Sequence, residues 1–186
     1  GSGSAGCVVA NRLSADPAVR VLLLEAGGPD NGFWLKLPVG YFRSIYDPNS
    51  ARLFKTDPDP GIAGRQMDCP RGRVVGGSSS INGLIFIRGQ HQDFDDWADA
   101  GANGWSFEDV LPAFKRLECY GGGDSAYRGR DGELSVSDLR NRNPLCDAWL
   151  AAAHATGLPA NEDFNGESTY GVGPYQLSIG GHWRAS

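Results

Sequence analysis

The chain opens with Gly1-Ser2-Gly3-Ser4-Ala5-Gly6, and Val19-Arg20-Val21-Leu22-Leu23-Leu24-Glu25 follows a dozen or so residues later. Between them, Ser4 to Ala15 carries small and apolar residues at helical spacing: Ala5, Val8, Val9 and Leu13. Asp16-Pro17 is a stop signal for that helix. The run Val19–Glu25 is almost continuously apolar, which predicts a strand covered on both faces. The order is therefore glycine turn, helix, strand, acid, the pattern of a Rossmann-like dinucleotide-binding unit. Gly1 permits a tight turn, Gly3 lets backbone approach a pyrophosphate, and Gly6 lets the helix pack closely. The helix N-terminus offers N–H groups and a positive dipole end to the anion. Glu25, 19 residues after Gly6, would accept from ribose hydroxyls. A carboxylate there suits a free 2′-OH and repels a 2′-phosphate, so FAD or NAD is favoured over NADP.

Composition narrows the field. At 186 residues the chain is long enough for a real core. A net charge of −5, without a Lys/Arg run, argues against a nucleic-acid surface. Cys7, Cys69, Cys119 and Cys146 are scattered with no CxxC pair, so neither zinc nor a redox disulfide is indicated, and a reducing compartment is expected. His91, His154 and His182 have no metal-ligand spacing. His91 reads as solvated and His154 as a packing residue. No signal peptide or membrane-spanning run is visible. The first residue is already the first glycine of the turn, and the last residues carry no polar tail, so the chain reads as a fragment cut at both ends.

A second glycine stretch is rarer: Gly72-Arg73-Val74-Val75-Gly76-Gly77-Ser78-Ser79-Ser80-Ile81-Asn82. Gly76-Gly77 allows a sharp backbone turn, and Ser78 to Ser80 can cap a following helix and present hydroxyls and N–H groups to an oxygen-rich ligand such as a cofactor, backbone capping alone being the other reading. Asn82, four residues after Ser78, would then share its side. Ile81, Leu84, Ile85, Phe86 and Ile87 are apolar, which predicts burial, and buried serines and asparagine need partners.

This stretch, continued by Gly83-Leu84-Ile85-Phe86-Ile87-Arg88-Gly89 and Asp95, resembles the first signature of the glucose–methanol–choline (GMC) oxidoreductases. The opening turn, Leu22-Leu23-Leu24-Glu25-Ala26-Gly27, Asp93–Trp97 and Gly104–Phe114 are similar to the same family, nearest its bacterial alcohol and choline dehydrogenase branch. The resemblance implies an α/β (α+β overall) fold. Residues 1–137 would form a Rossmann-like FAD-binding domain with an arm over 28–70, and 138–186 the start of an antiparallel-sheet substrate domain. It implies FAD contacts from Gly1, Gly3, Ser4, Ala5, Gly6, Glu25 and Ala26, and from Gly76, Gly77, Ser78, Asn82, Gly83, Leu84 and Ile85. Ile81 stands where some members carry a flavin-linking histidine, so noncovalent FAD is expected. The family's catalytic histidine lies near the far C-terminus and has no counterpart here, so no catalytic residue is assigned.

The implied activity is oxidation of a small alcohol to an aldehyde, with oxygen or a quinone as acceptor. No nucleic-acid partner is expected. The location is cytoplasmic, with peripheral association with the inner membrane left open. A hydroxynitrile-type lyase on the same fold and a noncatalytic nucleotide-binding module are the alternatives.

The remaining elements follow from local signals. Gly27–Pro70 reads as long and irregular, with its aromatics packed on the body. Ser106-Phe107-Glu108-Asp109 is a capping box opening a helix, with Val110, Leu111, Phe114 and Leu117 on its apolar face. Glu133–Ser137 reads as a strand. Asn143-Pro144 opens a helix that Gly157 ends and that buries Leu145, Trp149, Leu150 and Ala153. Gly171–Ile179 alternates again. Asp93, Asp95 and Asp96 read as a solvated helix start.

Overall fold

A computed structural model describes residues 1–185; Ser186, the end of the expected cut edge, lies outside the described residues. The chain forms two compact units. One holds residues 1–84 and 181–184, the other residues 85–180 and Ala185.

In the first unit, helix α1 (Ser4–Ser14) follows an extended Gly3 and stops just before Asp16-Pro17. The strand expected over Val19–Glu25 does not form. The backbone is extended, but among the described residues no strand pairs with it, and Leu22 and Leu24 are 82% and 71% exposed. A parallel strand owes its burial to neighbours on both edges, so an apolar run alone does not make one. The stretch read as irregular contains regular structure: two short helices, α2 (Phe33–Lys36) and α3 (Tyr41–Ser44), and two strands. Strand β1 (Ala51–Lys55) pairs antiparallel with β2 (Asp68–Gly72), in register from Ala51 with Gly72 to Lys55 with Asp68. Its aromatics do not pack on the body: Phe33, Phe42 and Tyr46 are all exposed. The core lies elsewhere, in Leu35, Ala51, Val74 and Ile81, with Ile45 against them. Val74 and Ile81 bracket the second glycine stretch, so its polar turn is anchored in apolar packing at both ends.

The second unit begins with β3 (Ile85–Phe86), antiparallel to β6 (Gln176–Leu177). Helix α4 (His91–Asp99) starts with a capping box between Gln90 and Asp93, and α5 (Phe107–Leu117) with the expected box between Ser106 and Asp109. Asp95 is not merely solvated: it accepts from the Phe107 N–H at 2.9 Å and so joins the middle of α4 to the start of α5. Strand β4 (Glu118–Tyr120) is parallel to β5 (Leu134–Val136). Helix α6 (Pro144–Ala155) has Asn143 as cap, its Oδ1 accepting from Leu145 N–H at 2.9 Å, and ends at Gly157 with φ +93°. Its expected buried face is open: Leu145 and Trp149 are 77% and 65% exposed. Nor is His91 solvated. Its ring stacks on Phe107 with centroids 3.5 Å apart, and Nε2 lies 3.3 Å from the Gly166 carbonyl. His154 is exposed, with Nδ1 3.0 Å from the Leu158 carbonyl.

At the heart of this unit Glu118, fully buried, meets Arg88 Nη2 and Arg128 Nε, each at 2.8 Å. It also accepts from Gly129 N–H at 2.9 Å. Arg128 continues to Asp163 and lies 4.0 Å from the centre of the Tyr120 ring. Burial pulls the Arg88 guanidinium below its usual range, against the opposing pull of Glu118.

Candidate cofactor site

The two glycine stretches meet in the first unit. A Cβ on Gly77 would stand 2.8 Å from Gly3 Cα, and one on Gly72 would stand 2.2 Å from the Gly77 carbonyl carbon. A Cβ on Gly27 would lie 2.1 Å from the Arg73 carbonyl carbon. Real side chains do not fit in such spaces, so three segments touch backbone to backbone only because glycine occupies these positions. Gly76 and Gly77 both have positive φ, +87° and +59°, which aims the turn at Gly3. The third glycine of the opening turn has a different neighbour from the one expected: a Cβ on Gly6 would sit 1.9 Å from the Gly1 carbonyl oxygen, so Gly6 lets the turn fold onto its own helix.

Glu25 closes the same cluster. Its Oε2 accepts from Ser2 N–H at 2.8 Å and from Ser2 Oγ at 2.9 Å, and its Oε1 accepts from Gly27 N–H at 2.8 Å. These hydrogen bonds, led by the Ser2 and Gly27 backbone N–H groups and followed by the Ser2 hydroxyl, hold its carboxyl at about 2, below its ordinary 4.5. A carboxylate offers about four acceptor sites, so one remains, on Oε1. Ser2 itself is 5% exposed. Sequence reasoning passed over it; the only signal was a small hydroxyl residue between two turn glycines. Ala26, beside Glu25, is exposed.

At the start of α1 no side chain caps the helix. Cys7 N–H takes the Gly3 carbonyl at 2.9 Å, and Ser4 and Ala5 lie exposed in the first turn. An uncapped N-terminus beside two glycine-only approaches is a cradle for an anion.

The three serines act differently from expectation. Gly77–Ser80 is a single 3₁₀ turn with no side-chain cap. Ser78 Oγ accepts from Gly72 N–H at 3.0 Å, Ser79 Oγ donates to the Gly76 carbonyl at 2.6 Å, and Ser80 Oγ donates to the Val75 carbonyl at 2.8 Å. They brace the turn because short hydroxyl side chains reach local backbone before anything more distant. Asn82 N–H closes onto the Ser78 carbonyl at 2.9 Å, and its Oδ1 accepts from Leu84 N–H at 3.0 Å. Asn82 and Gly83 are exposed, while Leu84 is buried with a left-handed φ of +69°. Ile81 is 2% exposed and belongs to the core. Ile85 lies in the second unit, at the start of β3, and its side chain is exposed.

Arg184 is a second residue that sequence reasoning missed. It is buried, and it bonds to Leu35, Ser79 and Asn82. All four cysteines are free, and among the described residues no group of acids, histidines or cysteines could hold a metal. No helix among them is long and apolar enough to cross a membrane.

Comparison with known proteins gives a consistent result. The family model described as GMC oxidoreductase matches residues 1–185. The oxygen-dependent choline dehydrogenases of Photobacterium profundum and Brucella anthropi are each 42% identical over 188 residues. The match takes in 100% of this chain and 33% and 34% of those proteins, so the chain spans about a third of the curated relatives' length. Among solved structures, a pyridoxine 4-oxidase from Mesorbium loti is 34% identical with a TM-score of 0.92, over 99% of this chain and 36% of that one. An FAD-dependent oxidoreductase from Chaetomium thermophilum is 30% identical with a TM-score of 0.87, over 100% of this chain and 34% of that one. The α/β, Rossmann-like fold read from the glycine turn is the fold these structures share.

Proposed function

We propose, from the premise that this chain belongs to the GMC oxidoreductase family, that it forms the dinucleotide-holding part of an FAD enzyme that oxidises an alcohol to an aldehyde. The observation that carries this reading is the glycine-only meeting of Gly3 and Gly77 beside the uncapped start of α1. The residues present fit the group. Ser4, Ala5 and Gly6 offer first-turn N–H groups to a pyrophosphate. Glu25 keeps one acceptor lone pair for a ribose hydroxyl. By the family resemblance Gly76, Gly77, Ser78, Asn82, Gly83 and Leu84 would also hold the group. Ile85 is assigned to the ring system by the family resemblance. Ile81 stands where some family members carry a flavin-linking histidine, so by the resemblance noncovalent binding belongs to this reading.

When bound, FAD supplies the hydride acceptor. The residues of this chain bind and orient it and keep the Glu25 carboxylate ionised. No base is assigned to His91, His154 or His182; by the family resemblance the base is a histidine further along the full protein. The substrate class is choline or a primary alcohol, and the acceptor is oxygen, by analogy with the choline dehydrogenases above. On this reading residues 1–137 form the FAD domain and 138–186 the start of the substrate domain, in a protein placed in the cytoplasm.

The test is an absorbance spectrum of the full-length protein before and after anaerobic addition of choline and primary alcohols. Flavin bands that bleach with an alcohol are the expected result. A protein without flavin sinks the proposal. Flavin bands that no alcohol bleaches would move the assignment to the lyase.

A further inference from the structure

Arg184 is 6% exposed, and among the described residues no carboxylate pairs with it. A buried cation normally has an ionic partner. Here neutral oxygens take that place. Nε donates to the Leu35 carbonyl at 3.1 Å, Nη1 to the Ser79 carbonyl at 2.9 Å and to Asn82 Oδ1 at 2.8 Å, and Nη2 to the Asn82 carbonyl at 2.9 Å. The planar fork of arginine suits this task, since it spans several acceptors in one plane where an ammonium is a single point.

The consequence falls on Asn82. A carboxamide can sit either way round, and its neighbours decide which. Asn82 Oδ1 faces two donors, Arg184 Nη1 at 2.8 Å and Leu84 N–H at 3.0 Å. The flipped amide would set N–H against N–H at both. Oδ1 is therefore held inward, and Nδ2, which diverges from the same carbon, is turned away from the guanidinium on a residue that is exposed. Arg184 also grips the backbone carbonyls on either side of Ile81, at Ser79 and at Asn82 itself, so the amide cannot escape by moving the turn.

We propose that Arg184 is a positioning residue for the cofactor: it locks the Asn82 amide so that Nδ2 stands as a hydrogen-bond donor to an acceptor atom of the bound dinucleotide. This rests on the cofactor reading above. Neither residue is a catalytic group; Arg184 acts through Asn82.

The test uses the full-length holoenzyme as wild type, Arg184→Lys, Asn82→Ala, the double variant and Asn82→Asp. FAD affinity is measured by flavin fluorescence, and Tm is recorded for each apoprotein. Arg184→Lys and Asn82→Ala should each raise the Kd for FAD about tenfold, the worth of one ordinary hydrogen bond. The double variant should bind within about twofold of Asn82→Ala, because coupled residues do not lose affinity independently. Asn82→Asp gives Arg184 a carboxylate and removes the donor, so Tm should hold while FAD affinity falls about tenfold. That variant keeps the test open if Arg184→Lys fails to fold. Wild-type affinity in Arg184→Lys or in Asn82→Asp overturns the assignment of Arg184 and Asn82 while leaving the cofactor reading intact. Losses that multiply in full in the double variant do the same. A wild type that holds no flavin overturns the cofactor reading, and this proposal with it.

Discussion

Two regions of this chain solve opposite problems. Around Gly3, Gly27, Gly72 and Gly77, segments touch because side chains are missing, and backbone lies directly against backbone. Around Glu118 the contact is made by long charged side chains driven inward: Arg88, Arg128 and Asp163. The first arrangement stands beside an α1 N-terminus that no side chain caps. The second uses up nearly everything it buries, and Arg88 Nε, Arg128 Nη2 and Asp163 Oδ2 are the buried atoms left without a partner there. A binding cradle is thus specified by absence, and a structural hub by pairing.

Mutations should separate the two, and the largest effect belongs to the hub. Glu118→Ala leaves the buried Arg88 guanidinium without a carboxylate and Arg128 with Asp163 alone, and breaking a buried pair costs about 3–5 kcal/mol. Urea unfolding of the full-length protein should show a loss of that size, with the flavin released only as the fold goes. Gly77→Ala should invert the pattern. A methyl group at φ +59° and 2.8 Å from Gly3 Cα strains the turn by roughly 1–2 kcal/mol, yet flavin should wash out on gel filtration while the protein stays folded.

Ser2→Ala probes the cradle more gently. Losing the Ser2 hydroxyl costs about 1 kcal/mol, and the Glu25 carboxyl should rise from about 2 towards 4.5 in an NMR titration. Because folding lowers this group's pKa, its contribution is fully present above 4.5 and is lost as pH falls through about 2. Acid loss of stability should therefore begin near the same pH in the variant, but be smaller and level off at a higher pH. Asn143→Ala removes the cap of the exposed helix α6 and should cost only ~0.5 kcal/mol, with flavin retention unchanged. A flavin effect from Asn143 would blur the contrast; a stability effect from Gly77 as large as that from Glu118 would abolish it.

What could be read from the sequence was what is decided locally. Ser106 with Asp109, and Asn143 with Pro144, act within one helical turn and stand where their spacing placed them. The glycine stretches were legible because only one residue type tolerates such approaches. Val19–Glu25 misled because a strand is a relation between segments, not a property of one. The hairpin of β1 and β2 went unseen because Ala51–Lys55 buries a single residue and so lacks alternation. The Leu145 and Trp149 face of α6 has helical periodicity but no covering partner among the described residues. Arg184 was illegible for the plainest reason: its partners at Asn82 and Leu35 lie 102 and 149 positions back.

That separation has a consequence for how the protein is made on the ribosome. At roughly 5–20 residues per second, Arg184 leaves the peptidyl-transferase centre on the order of 5–20 s after Asn82. For that interval the turn residues Gly77–Asn82 have been made and their guanidinium clamp has not. The last step in shaping the loop is therefore timed by translation, and a slow codon between positions 82 and 184 would lengthen the period in which the loop is exposed without it.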